Sequence, residues 1–136
     1  MTNEVVVDTD AFSNLWQKTG NHQAYAQAIV GHIPVLSFAT VAEARFGAAK
    51  KGWGARRVAD LGEAIRRYVI APYDASMPVL WGTLRAQAQT LGHPLGQDSQ
   101  INDLWIAATA IYYQAPLLTG NRRHFENFPG LSLLTP

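Results

Sequence analysis

Short apolar runs alternate along the chain with longer segments of helical periodicity. The predicted strands are the runs EVVVD, IPVLS, VIAPY, APLLT and LSLLT. The predicted helices are residues 11–18 and the segments QAYAQAIVGH, VAEARFGAAKK, GARRVADLGEAIRRY, PVLWGTLRAQAQTLG and NDLWIAATAIYY. Short apolar strands separated by helices pair in parallel and are covered on both faces of the sheet. The pattern therefore predicts a three-layer α/β/α fold around a mainly parallel sheet of about five strands.

The pattern continues without interruption, so we expect residues 1–136 to form one domain. No repeat, low-complexity tract or linker divides the chain, and 136 residues are enough to bury a substantial core. The chain has no cysteine, which excludes disulfides, thiolate metal sites and thiol nucleophiles. It also has no predicted leader and no apolar run long enough for a membrane span. We therefore expect a soluble cytoplasmic protein that does not bind membranes.

Polar side chains recur where the predicted strands end. Asp8 follows the strand EVVV, and Glu43 is expected in the first turn of the helix after the second strand. Asp103 opens the helix NDLWIAATA, and Asn121 follows the strand APLLT. Parallel α/β sheets bind ligands at the carboxyl ends of their strands, near the point where the strand order reverses. These four groups are therefore predicted to face one another across one edge of the sheet.

This set of side chains has the chemistry of a site for a hard metal ion. A carboxylate that ends a buried strand is costly unless a cation, a proton or hydrogen-bond donors compensate it. Carboxylate and amide oxygens, with no histidine or cysteine among them, are the ligands that Mg²⁺ and Mn²⁺ prefer. The pattern therefore predicts that these four groups form a site for Mg²⁺ or Mn²⁺.

Each of these residues also has an ordinary structural role open to it. The segment TVAE matches a capping box in which Glu43 bonds to the start of its own helix. Asp103, after a predicted N-cap at Asn102, favours the positive end of a helix. The remaining alternatives are an N-cap for Asp10, a loop or cap position for Asp98, a turn for Asn121 and a strand-end hydroxyl for Thr119. The joint pattern of polar groups at four strand exits favours a functional site.

Charge along the chain is strongly segregated, although the net charge is only +1. Seven of the eleven lysines and arginines lie between residues 45 and 67, and Arg122 and Arg123 form a second basic pair. Segregated charge of this kind can follow a phosphate backbone even on a nearly neutral protein. Solvated helix faces are the alternative explanation.

Four segments together carry a resemblance to a known family. The sequences VVVDTDAFSNL, LSFATVAEARFGA, INDLWIAATA and LLTGNRRHFENFPGLSLL occur in this order over essentially the whole chain. In this they resemble the PIN-domain ribonucleases, and VapC-type toxins in particular. The resemblance places Asp8, Glu43 and Asp103 on the metal-binding triad. It places Asn121 where the family carries a fourth acid or Asn, and Thr119 on a hydroxyl that lines the site.

The resemblance also implies an activity and a set of partners. It implies an endoribonuclease in which water activated by Mg²⁺ or Mn²⁺ attacks phosphorus and leaves a 5′-phosphate and a 3′-hydroxyl. Arg45, Arg122 and Arg123 are expected to hold flanking phosphates of the RNA. VapC-type toxins are held by a small VapB-type antitoxin and commonly form homodimers, so we expect both here.

Two other functions are alternatives to this one. The strand-end DTD also resembles haloacid-dehalogenase-type phosphatases, where the first Asp is the nucleophile and the second, here Asp10, is a general acid. That chemistry needs a downstream lysine and a paired-acid motif, but the last lysine here is Lys51 and no second paired-acid motif follows. The other alternative is a PIN-like domain that binds RNA or a partner without cutting. Metal-dependent hydrolysis of RNA by the pure protein would distinguish the nuclease from this alternative.

Overall fold

Strands and helices alternate through the described part of the chain. The structure, a computed structural model, describes residues 3–134 and residue 136. The strands are β1 (Glu4–Val7), β2 (Ile33–Leu36), β3 (Val69–Ile70), β4 (Leu117–Leu118) and β5 (Leu133–Leu134). The helices are α1 (Thr9–Gln17), α2 (His22–Ala28), α3 (Phe38–Lys50), α4 (Ala55–Arg66), α5 (Ser76–Leu91), α6 (Ile101–Tyr112) and α7 (Arg122–Phe125). Two 3₁₀ turns, Pro94–Gly96 and Asp98–Gln100, join α5 to α6.

The five strands form one sheet with the order β3-β2-β1-β4-β5, and every neighbouring pair is parallel. The chain runs outward from β1 to β2 and β3, then returns to place β4 on the other side of β1. The strand order therefore reverses between β1 and β4, whose carboxyl ends carry Asp8 and Thr119. This is the position at which open parallel sheets bind their ligands.

Alternate residues of the short strands supply two separate cores. Val6, Val35 and Leu117 are buried on one face, beneath α5 and α6. Val5 and Val7 are buried on the other, against residues of α1, α2 and α4. Successive side chains of a strand point to opposite faces, so apolar residues at consecutive positions mean that both faces are covered. The three-layer α/β/α fold with a five-stranded parallel sheet is confirmed.

Several predicted helix starts are wrong, for a common reason. Ser37, directly after β2, is the N-cap of α3, because its hydroxyl accepts a hydrogen bond from the Ala39 N–H at 3.2 Å. The capping box predicted at TVAE therefore does not form, and Glu43 lies in the second turn of α3. The N-cap of α6 is Gln100 and not Asn102. In each case the helix begins as soon as the strand or turn before it ends.

The remaining differences are local. The short helix α7 was not predicted, and α2 ends at Ala28, before the predicted residues around Gly31, where the backbone has a positive φ of 82°. Asp98, predicted in a loop or cap, starts the second 3₁₀ turn and pairs with Arg85. Thr135 of the predicted strand LSLLT lies outside the described residues. Among the helices of residues 3–134, none has the length and apolar character that crossing a bilayer requires.

Candidate active site

Asp8 is a buried carboxylate at the carboxyl end of β1. Its backbone N–H donates to the Leu118 carbonyl at 3.1 Å, which continues the pairing of β1 with β4. Its Oδ1 accepts from the Ala11 N–H at 2.8 Å, and its Oδ2 accepts from the Thr119 hydroxyl at 2.5 Å. The residue is only 3% exposed. Both carboxylate oxygens are thus held in place by donors from α1 and from the end of β4.

The surroundings of Asp8 disfavour its negative charge. Burial raises the pKa of Asp8 to about 6, and the two hydrogen bonds from Thr119 and Ala11 oppose this rise. The charges of Asp10 and Asp103 add smaller upward contributions to the pKa of Asp8. Asp8 is thus a buried acid with two other acids near it.

The roles predicted for the two aspartates of DTD require a correction. Asp10 was predicted as the N-cap of the first helix, but Asp8 is the N-cap, with an extended backbone at φ −74° and ψ 172°. An N-cap accepts from the N–H two or three residues later, which the Asp8 carboxylate does at Ala11. Asp10 instead lies exposed in the first turn of α1, where its charge raises the pKa values of both Asp8 and Asp103.

Glu43 is linked to the start of α1 by a hydroxyl. Thr9, the residue after Asp8, donates to Glu43 Oε1 at 2.6 Å, and its Oγ1 lies 3.2 Å from the hydroxyl of the buried Thr40. Glu43 is half-buried, and with Thr9 and Asp10 it lines a cavity between α1 and α3. The packing of α1 on α3 therefore brings Glu43 to the same end of the sheet as Asp8.

Asp103 and Asn121 meet through a histidine. Nδ1 of His124 lies 3.0 Å from Asp103 Oδ2 and 3.0 Å from Asn121 Nδ2. One ring nitrogen donates to the carboxylate when it carries a proton and accepts from the amide when it does not. Burial raises the pKa of Asp103, and the hydrogen bond from His124 partly opposes that effect. His124 thus holds Asp103 at the start of α6 against Asn121 at the start of α7.

The loop after β4 approaches α2 so closely that residue 120 has no room for a side chain. A Cβ atom on Gly120 would lie 2.1 Å from the hydroxyl oxygen of Tyr25, which is buried. Burial raises the pKa of Tyr25, with a further contribution from the charge of Asp8. The next residue, Asn121, donates its backbone N–H to the Thr119 hydroxyl at 2.8 Å. Glycine at this position therefore lets the loop keep Thr119 and Asn121 in register beside Asp8.

The predicted phosphate-binding residues lie on two different helices, α7 and α3. Arg122 and Arg123 are exposed in α7, directly after Asn121, and Arg122 Nε is 4.0 Å from Glu126. Arg45 is exposed on α3, and its guanidinium extends toward Gly62 of α4. The structure thus places the pair in α7 directly after Asn121 and directs Arg45 to the neighbouring helix.

The three acids of the site have the type of ligand atom that a hard divalent cation prefers. Asp8, Glu43 and Asp103 offer oxygen atoms only, and Asp8 and Asp103 are acids whose pKa values are raised by burial. Within residues 3–134, however, no three acidic or histidine side chains form a ready-made metal site. Each acid is instead engaged by a protein donor, namely Thr119, Thr9 and His124 respectively.

Three of these contact residues were not predicted from the sequence. Thr9 and Thr40 occur in DTD and TVAE, where their hydroxyls resemble ordinary cap and turn residues. His124 follows Asn121 by three residues, which is the spacing of neighbours on one face of a helix. That spacing is the only indication the sequence offers, and the contact with Asp103 depends on the fold.

Comparisons with known proteins agree with the fold. Residues 5–131 match the family described as the PIN domain. The VapC ribonuclease Y4jK of Sinorhizobium fredii (strain NBRC 101917 / NGR234) is 31% identical over 140 residues, which cover 97% of this chain and 96% of that relative.

Two solved structures have the same fold. One is VapBC2 from Rickettsia felis bound to a DNA fragment from its promoter, with a TM-score of 0.81, 22% identity, and coverage of 97% of this chain and 98% of that one. The other is DNA-bound VapBC from Salmonella typhimurium, with a TM-score of 0.81, 24% identity, and coverage of 99% and 98%.

Proposed function

This chain belongs to the PIN domain family, and from that premise we propose that it is a metal-dependent endoribonuclease of the VapC type, the toxin of a toxin–antitoxin pair. The observation that carries the proposal is Asp8, a buried carboxylate at the strand-order reversal with other acids around it. A ribonuclease relative aligned over nearly the whole chain supports it. The absence of cysteine is consistent with action in the reducing cytoplasm.

We assign Asp8, Glu43 and Asp103 as the residues that would hold Mg²⁺ or Mn²⁺. When bound at such a site, a divalent ion lowers the pKa of water and balances the charge that develops on the phosphoryl oxygens. The chain's own residues orient the acids. Thr119 and the Ala11 N–H fix Asp8, and Thr9 fixes Glu43. Hydrogen-bond partners of this kind hold metal-binding side chains in one orientation.

The residues of α7 are suited to the RNA backbone. Arg122 and Arg123 are exposed in α7. They follow Asn121 directly in the chain, so their backbone lies at the acidic end of the site. Arginine binds phosphate oxygens with two parallel hydrogen bonds. We propose that this pair holds a phosphate beside the cleaved bond, and that Arg45 binds the RNA farther along α3.

We expect purified protein to hydrolyse RNA in the presence of Mg²⁺ or Mn²⁺ and to stop when the ion is removed. The measurement is cleavage of total RNA, with mapping of the ends, in buffer with each ion and with excess EDTA. Ends with a 5′-phosphate and a 3′-hydroxyl indicate attack by water and not by the ribose 2′-hydroxyl. Activity that persists in EDTA would contradict the mechanism, and binding without cleavage under every condition would favour the non-cutting alternative.

His124 is expected to act as a positioning residue for Asp103. His124→Phe removes the hydrogen bond to Asp103 Oδ2, and we expect it to weaken Mn²⁺ binding by about 10-fold or more. His124→Asn is the matched variant, because its amide can still donate a hydrogen bond to the carboxylate. Calorimetric titration with Mn²⁺ measures the affinity of each variant. Equal affinities of His124→Phe and the wild type would show that the contact has no effect on the site.

The partner proteins are proposed from the relatives. The two solved structures with the same fold are described as VapBC, so we propose a VapB-type antitoxin as the partner of this chain. We also propose a homodimer. The edge strand β3 supports a protein interface, since Val69 and Ile70 are 50% and 40% exposed. Co-purification with the product of an adjacent reading frame tests the first of these proposals.

A further inference from the structure

A cavity between α1 and α3 runs away from the acidic residues toward two tryptophans. Thr9, Asp10 and Glu43 line one end of this cavity, and Trp16 and Trp53 line the other. Along α3 it follows residues 43, 47 and 51, which share one face of the helix because they are four residues apart. At 1.5 Å per residue, Lys51 lies about 12 Å along α3 from Glu43. The cavity therefore leads directly from the proposed cleavage site.

The far end of the cavity is an aromatic and basic cluster. The rings of Trp16 and Trp53 are 5.8 Å apart and meet edge to face at 69°. The guanidinium carbon of Arg57 lies 4.1 Å from the centre of the Trp53 ring, and Nζ of Lys51 lies 5.6 Å from it. Gln17 holds Arg57 in place by accepting a hydrogen bond at 3.1 Å. Both tryptophans are half-buried, so part of each remains open to a ligand.

The middle of the cavity is lined by a glycine that helix packing does not require. Gly47 lies inside α3, where glycine weakens a helix relative to alanine. Apart from its chain neighbours and the adjacent backbone of α3, a Cβ atom on Gly47 would meet none of the described residues within 4 Å. Its backbone also has no positive φ that would favour glycine. The effect of glycine here is to leave the cavity wide beside Glu43.

We propose that this cavity is a subsite for one unpaired nucleobase of the RNA, a nucleotide or so away from the cleaved phosphate. The inference rests on the proposed ribonuclease function and identifies the part of the substrate that the enzyme recognises. RNA-binding proteins recognise splayed-out bases by stacking them on aromatic rings and by hydrogen bonds to their edges. The tryptophans line the cavity with aromatic rings, and Gly47 leaves room for the base. Gln17 and Ser13 line it with polar groups, the Gln17 amide donating to the Ser13 hydroxyl at 2.8 Å.

Charge complementarity favours RNA over a peptide as the occupant. Lys51 and Arg57 lie against the tryptophans, and Lys50 and Arg56 are exposed nearby in the sequence. These cations suit the phosphate groups that must accompany a bound base. The acidic end of the cavity then faces the phosphate to be cut. One strand of RNA can thus occupy both ends, with its base at the tryptophans and its next phosphate at the acids.

Gly47→Leu fills the cavity without threatening the fold, because its Cβ enters open space and leucine is a better helix former. Gly82→Leu is the matched control. Gly82 also lies inside a helix, α5, and does not line this cavity. Apart from its chain neighbours and the adjacent backbone of α5, none of the described residues lies within 4 Å of its Cβ position. Urea unfolding of both variants is expected to show midpoints equal to or above that of the wild type. This check separates a blocked cavity from a damaged protein.

The probes are fluorescein-labelled RNA hexamers. One hexamer is intact, and in each of the others one nucleotide lacks its base. Binding is measured by anisotropy in EDTA, where we expect no cleavage. For the wild type and Gly82→Leu, removal of one base is expected to weaken binding by about tenfold, which is typical of one base stacked on an aromatic ring. For Gly47→Leu, the intact hexamer is expected to bind as weakly as that abasic one, with no position standing out.

Two results would overturn the subsite. One is a wild type whose affinity is the same for every abasic hexamer. The other is Gly47→Leu binding RNA as the wild type does, which would also be the result if a protein segment fills the cavity. Cleavage of RNA by the wild type with Mn²⁺ is measured in parallel, so that failure of the ribonuclease proposal itself is seen separately from failure of the subsite.

Discussion

Asp8→Asn is expected to lower the rate of RNA cleavage by about 100-fold or more, on the order expected for loss of a metal-binding charge. The folded structure should survive the change. Asn keeps the shape of Asp and an oxygen that can accept from the Ala11 N–H, so it can still cap α1. What it removes is a buried negative charge next to Asp10 and Asp103. The free energy of unfolding of the metal-free protein should therefore stay equal or rise while cleavage is lost.

The control for this prediction is Asp98→Asn. Asp98 is exposed, pairs with Arg85, and contacts none of the acids described above. We expect the Asp98→Asn protein to cleave RNA at a near-normal rate and to have near-normal stability. Cleavage rates with Mn²⁺ and urea unfolding in EDTA are measured for both variants. An Asp8→Asn protein that unfolds, or one that cuts RNA at the wild-type rate, would show that Asp8 is a structural residue only.

The metal-free protein is expected to become more stable, through Asp8, as the pH falls from about 6 toward 4. The pKa of Asp8 is about 6 in the folded protein and near 3.8 in the unfolded chain. Between these values the folded state binds more protons than the unfolded state, so stability decreases as the pH rises through this range. The difference of two pKa units corresponds to about 3 kcal/mol of unfolding free energy, of which about half is recovered by pH 5. Asp103, whose pKa is also raised, acts in the same direction.

Comparison with Asp8→Asn separates this contribution from the titrations that both proteins share. Urea unfolding in EDTA at pH 7.5 and pH 5 gives the stability of each protein at both values. We expect the wild type to gain about 1 kcal/mol relative to Asp8→Asn on acidification. Identical pH dependence of the two proteins would mean that the Asp8 carboxylate is as well solvated or balanced in the folded state as in the unfolded one.

The sheet and the position of Asp8 were accessible from the sequence, because consecutive valines followed by an acid have few structural explanations. The division of roles within DTD was not. Asp8 and Asp10 can both cap a helix, and the choice depends on which residue is the last with an extended backbone after β1. For the same reason the predicted start of α3 was wrong. Ser37 caps this helix, and the segment TVAE lies inside it.

The hydrogen-bond partners of the acids were accessible only from the fold. His124 lies 21 residues from Asp103, and Thr9 lies 34 residues from Glu43. Nothing in local periodicity selects such pairs, because they depend on how α7 and α3 pack at the sheet edge. The Gly47 cavity is similar, since an isolated glycine in a helical segment gives no indication of the space beside it.

The hydrogen bond between Thr119 and Asp8 joins residues 111 positions apart, which has a consequence for the protein during its synthesis. At 5–20 residues per second, a ribosome needs roughly 5 to 20 s to make the segment between them. During that time Asp8 is present without its partner, and β1 lacks the neighbour β4 on one side. A nascent chain that stops just before residue 119 therefore carries Asp8, Glu43 and Asp103 but lacks the hydroxyl that holds Asp8 Oδ2. A site in which Thr119 holds Asp8 and β4 pairs with β1 is thus present only in chains translated almost to the end.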